Sequence, residues 1–208
     1  MCKEPERKNA RVFVDGQNLY HQAKEAFNYY YPNYDILKLS FFVCQKYNFS
    51  LCGANFYTGI PNGKVDSLWA DFWNKKLSRM SRGVKTFSRE LKYAPQTICE
   101  RDQHGDFVEK EVLVGREKGI DIRIAIDMLK TCRNRSCDVA IIFSQDQDLN
   151  EAVKEARAIS RTAGRWFKII SAFPISESSK NQRGIDETDW CMISKEEYDS
   201  CIDNYNYF

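Results

Sequence analysis

Two carboxylates, Asp146 and Asp148, stand just past the apolar run Val139 to Phe143, with Ser144 between run and acids. A third, Asp15, ends the short apolar stretch Arg11-Val-Phe-Val. A fourth, Asp121, follows Gly119 at the head of a strongly apolar segment. Acids placed at strand ends and helix starts can converge on one crevice. Two carboxylates about 5 Å apart repel by roughly 3 kcal/mol at an effective dielectric of about 20. Such a cluster either holds protons or calls for a divalent cation. All-oxygen ligands suit Mg²⁺ or Mn²⁺, and a hard cation with open positions is apparatus for hydrolysing a phosphodiester.

Each acid also has a plainer role. Asp15 can cap the helix from Gln17 onward, Asp121 can be an N-cap, and Asp146 or Asp148 can cap the helix after Leu149. Asp127 stands i+4 from Arg123, which favours an ion pair within the helix over a place in the cluster. Other chemistries find little footing. No Gly-x-Gly-x-x-Gly follows a strand, and the chain has neither a P-loop nor a Gly-x-Ser-x-Gly elbow. Gln17 occupies the position where an aspartyl-phosphate enzyme would carry its second acid, and the chain has only two histidines.

The elements that must position these acids alternate. Strand 11–15 leads through a Gly16 turn to helix 19–27, then helix 36–47 and strand 51–60. Helix 65–80 and strand 84–91 follow, then a hairpin over 97–114 around Gln103-His104-Gly105-Asp106, with His104 a solvated tip residue. Asp121 is expected to cap the next helix, whose residues Ile122, Ala125, Ile126 and Leu129 share one face, with Ile124 and Met128 on a further flank. Strand 139–143, helix 149–159 and strand 166–173 complete the pattern. This alternation predicts one α/β domain with a mainly parallel central sheet and an antiparallel hairpin inserted at its edge. Residues 1–179 form the domain, and 180–208 are expected to wrap it as a tail with a short helix over 195–202.

Composition is that of a globular chain: 208 residues, 43% hydrophobic, 29% charged, net charge +2. The start of the sequence is polar, without a signal-like apolar core, and no window is long and apolar enough to span a membrane. The eight scattered cysteines are read as reduced thiols, and a cytoplasmic location is expected. Cys132 and Cys137 have zinc-like spacing but no second pair nearby.

Three motifs in order carry a resemblance that runs through most of the chain: Val14-Asp15-Gly16-Gln17-Asn18-Leu19, Lys118-Gly119-Ile120-Asp121 with its helix to Asp127, and Ser144-Gln145-Asp146-Gln147-Asp148. The sequence resembles the LabA-like NYN-domain branch of the PIN-like ribonucleases. Ser171-Ala-Phe-Pro174 and Arg183 to Trp190 are similar to bacterial members. The resemblance implies a PIN-like three-layer α/β/α fold and an acidic pocket that binds Mg²⁺ or Mn²⁺ and cleaves RNA. Asp15, Asp121, Asp146 and Asp148 would be the catalytic and metal-binding acids, with Asn18 and Ser144 as polar supports. Many members have Gly at the place of Gln145 and an aromatic residue at that of Leu149, so Gln145 adds bulk beside the pocket.

RNA would need cations and stacking platforms nearby. Lys118 is the first candidate for a phosphate contact, followed by Arg183, Arg89 and Lys92. Tyr57 and Trp190 are candidates for stacking on bases. The expected activity is that of a metal-dependent ribonuclease, an endonuclease. The alternatives are a non-catalytic RNA-binding or regulatory module of the same fold and a nuclease of structured DNA. The tyrosine-rich tail and the hairpin are candidate contact surfaces for a homodimer.

Overall fold

The structure, a computed structural model, describes residues 3–80, 83–101 and 106–208. Its centre is set by two short apolar strands, β1 (Asn9–Asp15) and β6 (Val139–Phe143), which pair in parallel with Val14 opposite Phe143. Both bury alternate side chains on opposite faces, as a strand covered on two sides must. Val12, Val14, Val139, Ile141 and Phe143 join one core, while Phe13, Ala140 and Ile142 join the other.

From β1 the sheet grows outward through β2 (Ser50–Ile60) to β3 (Lys85–Glu90). From β6 it grows the other way, through β7 (Lys168–Pro174) to β8 (Asp189–Ile193). The order is β3-β2-β1-β6-β7-β8, and all five pairings are parallel. The direction of growth reverses between β1 and β6, and there the carboxyl ends of the strands open a crevice.

Helices α1 (Gly16–Phe27), α2 (Ile36–Lys46) and α3 (Ser67–Met80) cover one face of the sheet; α4 (Ile120–Arg133) and α5 (Asn150–Thr162) cover the other. This is the expected three-layer α/β/α arrangement with a parallel central sheet. No helix of the described residues is long and apolar enough to cross a membrane.

The hairpin, β4 (Lys92–Arg101) and β5 (Phe107–Arg116), is longer than the sequence pattern suggested. It leaves from the edge strand β3 but forms a two-stranded sheet of its own. Its expected tip residues 103–105, including His104, lie outside the described residues.

Two expectations for α4 are corrected. Its N-cap is Gly119, in a left-handed conformation at φ 74°, and Asp121 falls in the first turn. Glycine accepts that backbone freely, so the helix begins two residues earlier than an Asp121 cap would place it. The buried face is Ile120, Ile124 and Met128, whereas Ile122 is 66% exposed and Ile126 41%. With apolar residues nearly all round, periodicity could not choose the face; the fit onto Phe13 and Ile142 did.

The C-terminal segment contributes more than a helix. β8 completes the sheet beside β7, and α6 (Lys195–Asp199) follows, closed by a capping box between Ser194 and Glu197. Lys76, buried in α3, donates to the Tyr34 carbonyl at 3.0 Å and pairs with Asp203 at 3.4 Å. Its ammonium also lies 4.7 Å from the centre of the Tyr207 ring, so one buried cation holds the tail to the body.

Candidate active site

The crevice at the β1–β6 boundary is a cleft of about 370 Å³. Asp15, the last residue of β1, is buried and accepts a hydrogen bond from Asn18 N–H at 3.0 Å. It therefore caps α1 and faces the cleft at once. The cap works because Gly16 lets the helix start close to β2. A Cβ on Gly16 would stand 2.4 Å from Phe56 Cζ and 2.9 Å from the Tyr57 carbonyl oxygen.

Across from it, β6 ends in Ser144, whose buried Oγ accepts from Asp146 N–H at 3.1 Å. Asp146 in turn caps a single 3-10 turn, Gln147–Leu149, by accepting from Asp148 N–H at 3.0 Å. Asn18 ties the two strand ends together, since its Oδ1 accepts from Gln145 N–H at 3.0 Å and also from the Gln22 amide. Asp121 reaches the same cleft from the first turn of α4.

Five carboxylates line the cleft: Asp15, Glu25, Glu117, Asp121 and Asp146. Among the described residues, no lysine or arginine does. Burial raises the Asp15 carboxyl from 3.8 to about 7, helped by Glu117, Asp121 and Asp146 and opposed by the Asn18 bond. Burial likewise raises Glu117 from 4.5 to about 7, with Asp121 adding to it and the bond from Gly59 N–H at 2.7 Å opposing it. Asp121 is raised by burial and then by Asp146 and, more weakly, Asp148.

The other expected site residues fall as follows. Asp148 is exposed and outside the cleft lining, close enough only to add to the charge felt by Asp121. Ser144 is fully buried and supports the Asp146 turn. Lys118 is exposed beyond the lining, and its carbonyl accepts from Arg89 at 3.3 Å. Arg183 pairs with Asp186 at 3.0 Å instead of facing the cleft. Asp127 pairs with Arg123 at 2.9 Å and accepts from the Tyr57 hydroxyl at 3.0 Å. That Tyr57 is buried and out of reach of a base. Trp190 donates its indole N–H to the Ile185 carbonyl. Cys132 and Cys137 are free and buried, and burial pushes the Cys137 thiol up to about 12.

Gln145 both lines the cleft and turns its amide to the chain's later course. Its Nε2 donates to the carbonyls of Asn181 and Arg183 at 3.2 and 2.9 Å. Gln147 binds the same segment, a strap over residues 181–186, donating to the Gly184 carbonyl and accepting from Asp186 N–H.

Glu117 was missed by sequence reasoning. It sits just past an exposed hairpin strand, with no apolar run or cap pattern to mark it; its spacing of four from Asp121 was the one available signal.

Among the described residues no set of three or more His, Cys, Asp or Glu side chains is arranged to hold a metal ion as it stands. The donor set nonetheless suits a hard cation. It is all oxygen, it carries excess negative charge, and its most buried acid is pushed up by burial first and then by the neighbouring Glu117, Asp121 and Asp146. Mg²⁺ keeps much of its water and needs only one or two direct carboxylates.

Residues 9–183 match the NYN domain. The chain belongs to the NYN domain family. NYN domains are part of the PIN-like nuclease superfamily, whose members generally use divalent metals, and the six-stranded parallel sheet between helices is the fold expected of one. Among solved structures, a protein of unknown function from Vibrio parahaemolyticus is similar at 16% identity, with a TM-score of 0.49 over 93% of this chain and 98% of that one. A ribokinase from Giardia lamblia is similar at 13% identity, with a TM-score of 0.37 over 69% of this chain and 42% of that one. Both are too distant to bear on the function of this NYN protein. No curated protein matches it.

Proposed function

We propose that this NYN protein is a divalent-metal-dependent ribonuclease that cuts within RNA chains. The observation that carries the reading is the gathering of Asp15, Glu117, Asp121 and Asp146 at the β1–β6 boundary, in a cleft that no described lysine or arginine lines. Asp15, Asp121 and Asp146 would hold Mg²⁺ or Mn²⁺. Such an ion would supply Lewis-acid activation of water and offset charge developing on the phosphate. Glu117, raised to about 7, is matched to taking a proton from water at neutral pH. Asn18 and Ser144 keep the two strand ends in register, and Asp148 stays at the rim.

A cationic surface supports RNA as the substrate. Arg89, Lys92, Arg116 and Lys118 are exposed around the root of the hairpin and form no ion pair among the described residues. Lys92 and Arg116 stand directly opposite each other in the ladder, an arrangement that weakens a hairpin and suits a polyanion.

The second reading, a non-catalytic RNA-binding module, draws on the lack, among the described residues, of three acids set to ligate an ion directly. One experiment separates them. The wild type and an Asp146→Asn variant are incubated with mixed RNA and DNA, with Mn²⁺ or with EDTA. The nuclease reading expects Mn²⁺-dependent cutting of RNA, lost in the variant. RNA binding without cutting would establish the module, and preferential cutting of structured DNA would move the substrate.

A further inference from the structure

Beside the acid cleft lies another, of about 310 Å³, and the two share Gln17 and His21. Its walls are Tyr20, Pro32, Pro61, Trp69, Trp73 and Leu91, and among the described residues no charged side chain lines it. The indoles are set from behind. Trp73 stacks on Phe56 at 5.9 Å between ring centres, and Trp69 meets Phe72 edge-on at 5.1 Å. Among the described residues the side chains of Gln17 and His21 make no hydrogen bond. Burial and nearby Lys24 hold the His21 imidazole below its ordinary range, so at neutral pH it offers one donor and one acceptor.

An uncharged aromatic cleft thus abuts a carboxylate cleft, with two open hydrogen-bonding groups at their border. A nucleotide has the same two halves: a flat apolar ring with a polar edge, and a phosphate that needs a cation. The volume is at the lower end of the range for small-ligand sites, about 300 to 1,000 Å³. We propose that this cleft is a nucleobase subsite. It takes the base next to the phosphate held at the acids, the aromatic walls packing on its faces and Gln17 and His21 reading its edge. The inference rests on the nuclease reading for its context, but base binding needs neither metal nor cleavage.

The test uses the full chain in EDTA with adenosine, guanosine, cytidine and uridine, each followed by saturation-transfer NMR, and free ribose as the reference. The expected result is strong transfer to the base protons of at least one nucleoside, weaker transfer to its ribose, and none to free ribose. Trp69→Ala should lower nucleoside affinity about tenfold, the scale of one base–aromatic contact. Trp69 also packs against Phe208, so this variant can lose its fold. Gln17→Ala and His21→Phe keep the test valid in that case, and either should change the order of preference among the four. Transfer to no nucleoside, or equal transfer to free ribose, overturns the proposal. Nucleoside binding without RNA cleavage would remove the nuclease reading and leave the subsite; Mn²⁺-dependent cleavage without nucleoside contact would do the reverse.

Discussion

Asp15 caps α1 with a carboxylate that also faces three other acids. Its pKa and that of Glu117 are both about 7 when folded, against 3.8 and 4.5 as ordinary values. The folded state therefore binds protons more tightly than the unfolded one. That contribution to stability is complete below the ordinary values and is lost as pH rises through about 7. Asparagine caps a helix as well as aspartate does but carries no charge. Asp15→Asn should thus match the wild type in Tm near about pH 4 and melt higher by about pH 8, while RNA cleavage falls at least about a hundredfold. A constant Tm difference across that range would contradict the assigned shift. Gly16 makes a separate prediction. Gly16→Ala drives a methyl against Phe56 and the Tyr57 carbonyl and should lower unfolding free energy by about 1–3 kcal/mol, read from a denaturant midpoint. Asp15 and Asp146 were legible as acids closing apolar strands. Glu117 was not, because its place in the cleft depends on β2: its carboxylate accepts from the N–H of Gly59, 58 residues away.

Among the elements, the hairpin and α4 show where pattern reading stops. The ladder sets Lys92 against Arg116, and each is exposed and, among the described residues, without an ion pair. If both contact RNA phosphates, the double variant Lys92→Gln, Arg116→Gln should reduce the salt slope of single-stranded RNA binding by about 1.4. Because a like-charge pair is removed, Tm should hold or rise. Fluorescence anisotropy over a salt series, with a thermal melt alongside, reads both. An unchanged slope would remove these side chains from the RNA path. The hairpin's strands were readable from alternation. Its detachment from the main sheet was not, since both arms alternate whether or not a third strand pairs with them. In α4, length and apolar content were legible, but the buried face was not. Ile122 and Ile126 stay in solvent because Ile120, Ile124 and Met128 pack onto the sheet.

At the scale of the molecule, the tail is part of the folding unit. β8 pairs along β7, Ile185 and Tyr198 are buried in opposite cores, and Gln145 and Gln147 bond the strap between them. A chain ending at Arg183 would expose the β7 edge and strip those side chains from both cores. It is expected to lose its cooperative thermal transition in far-ultraviolet circular dichroism. A truncated chain that still melts sharply, close to the full chain, would show the tail to be an accessory. The polar surroundings in 180–208 concealed β8, a run of only four apolar residues, Trp190 to Ile193: Cys191 and Ile193 are buried while Trp190 and Met192 face out.

Local order was written in the chain. Short apolar runs, Val12 to Val14 and Val139 to Phe143, each ending in Asp or near one, determined the two central strands and put acids at their carboxyl ends. Alternation with amphipathic segments determined the α/β class. These are short-range properties of neighbouring residues, and a sequence states them directly. The tertiary structure alone decided which strands are neighbours, and hence that Asp15 and Asp146 meet while Asp148 stays at the rim. It also decided that Glu117 joins them, that Gln145 binds the strap, and that an aromatic cleft borders the acids. Burial and charge–charge coupling depend on distances between residues far apart in the chain, and those exist only once the sheet has formed.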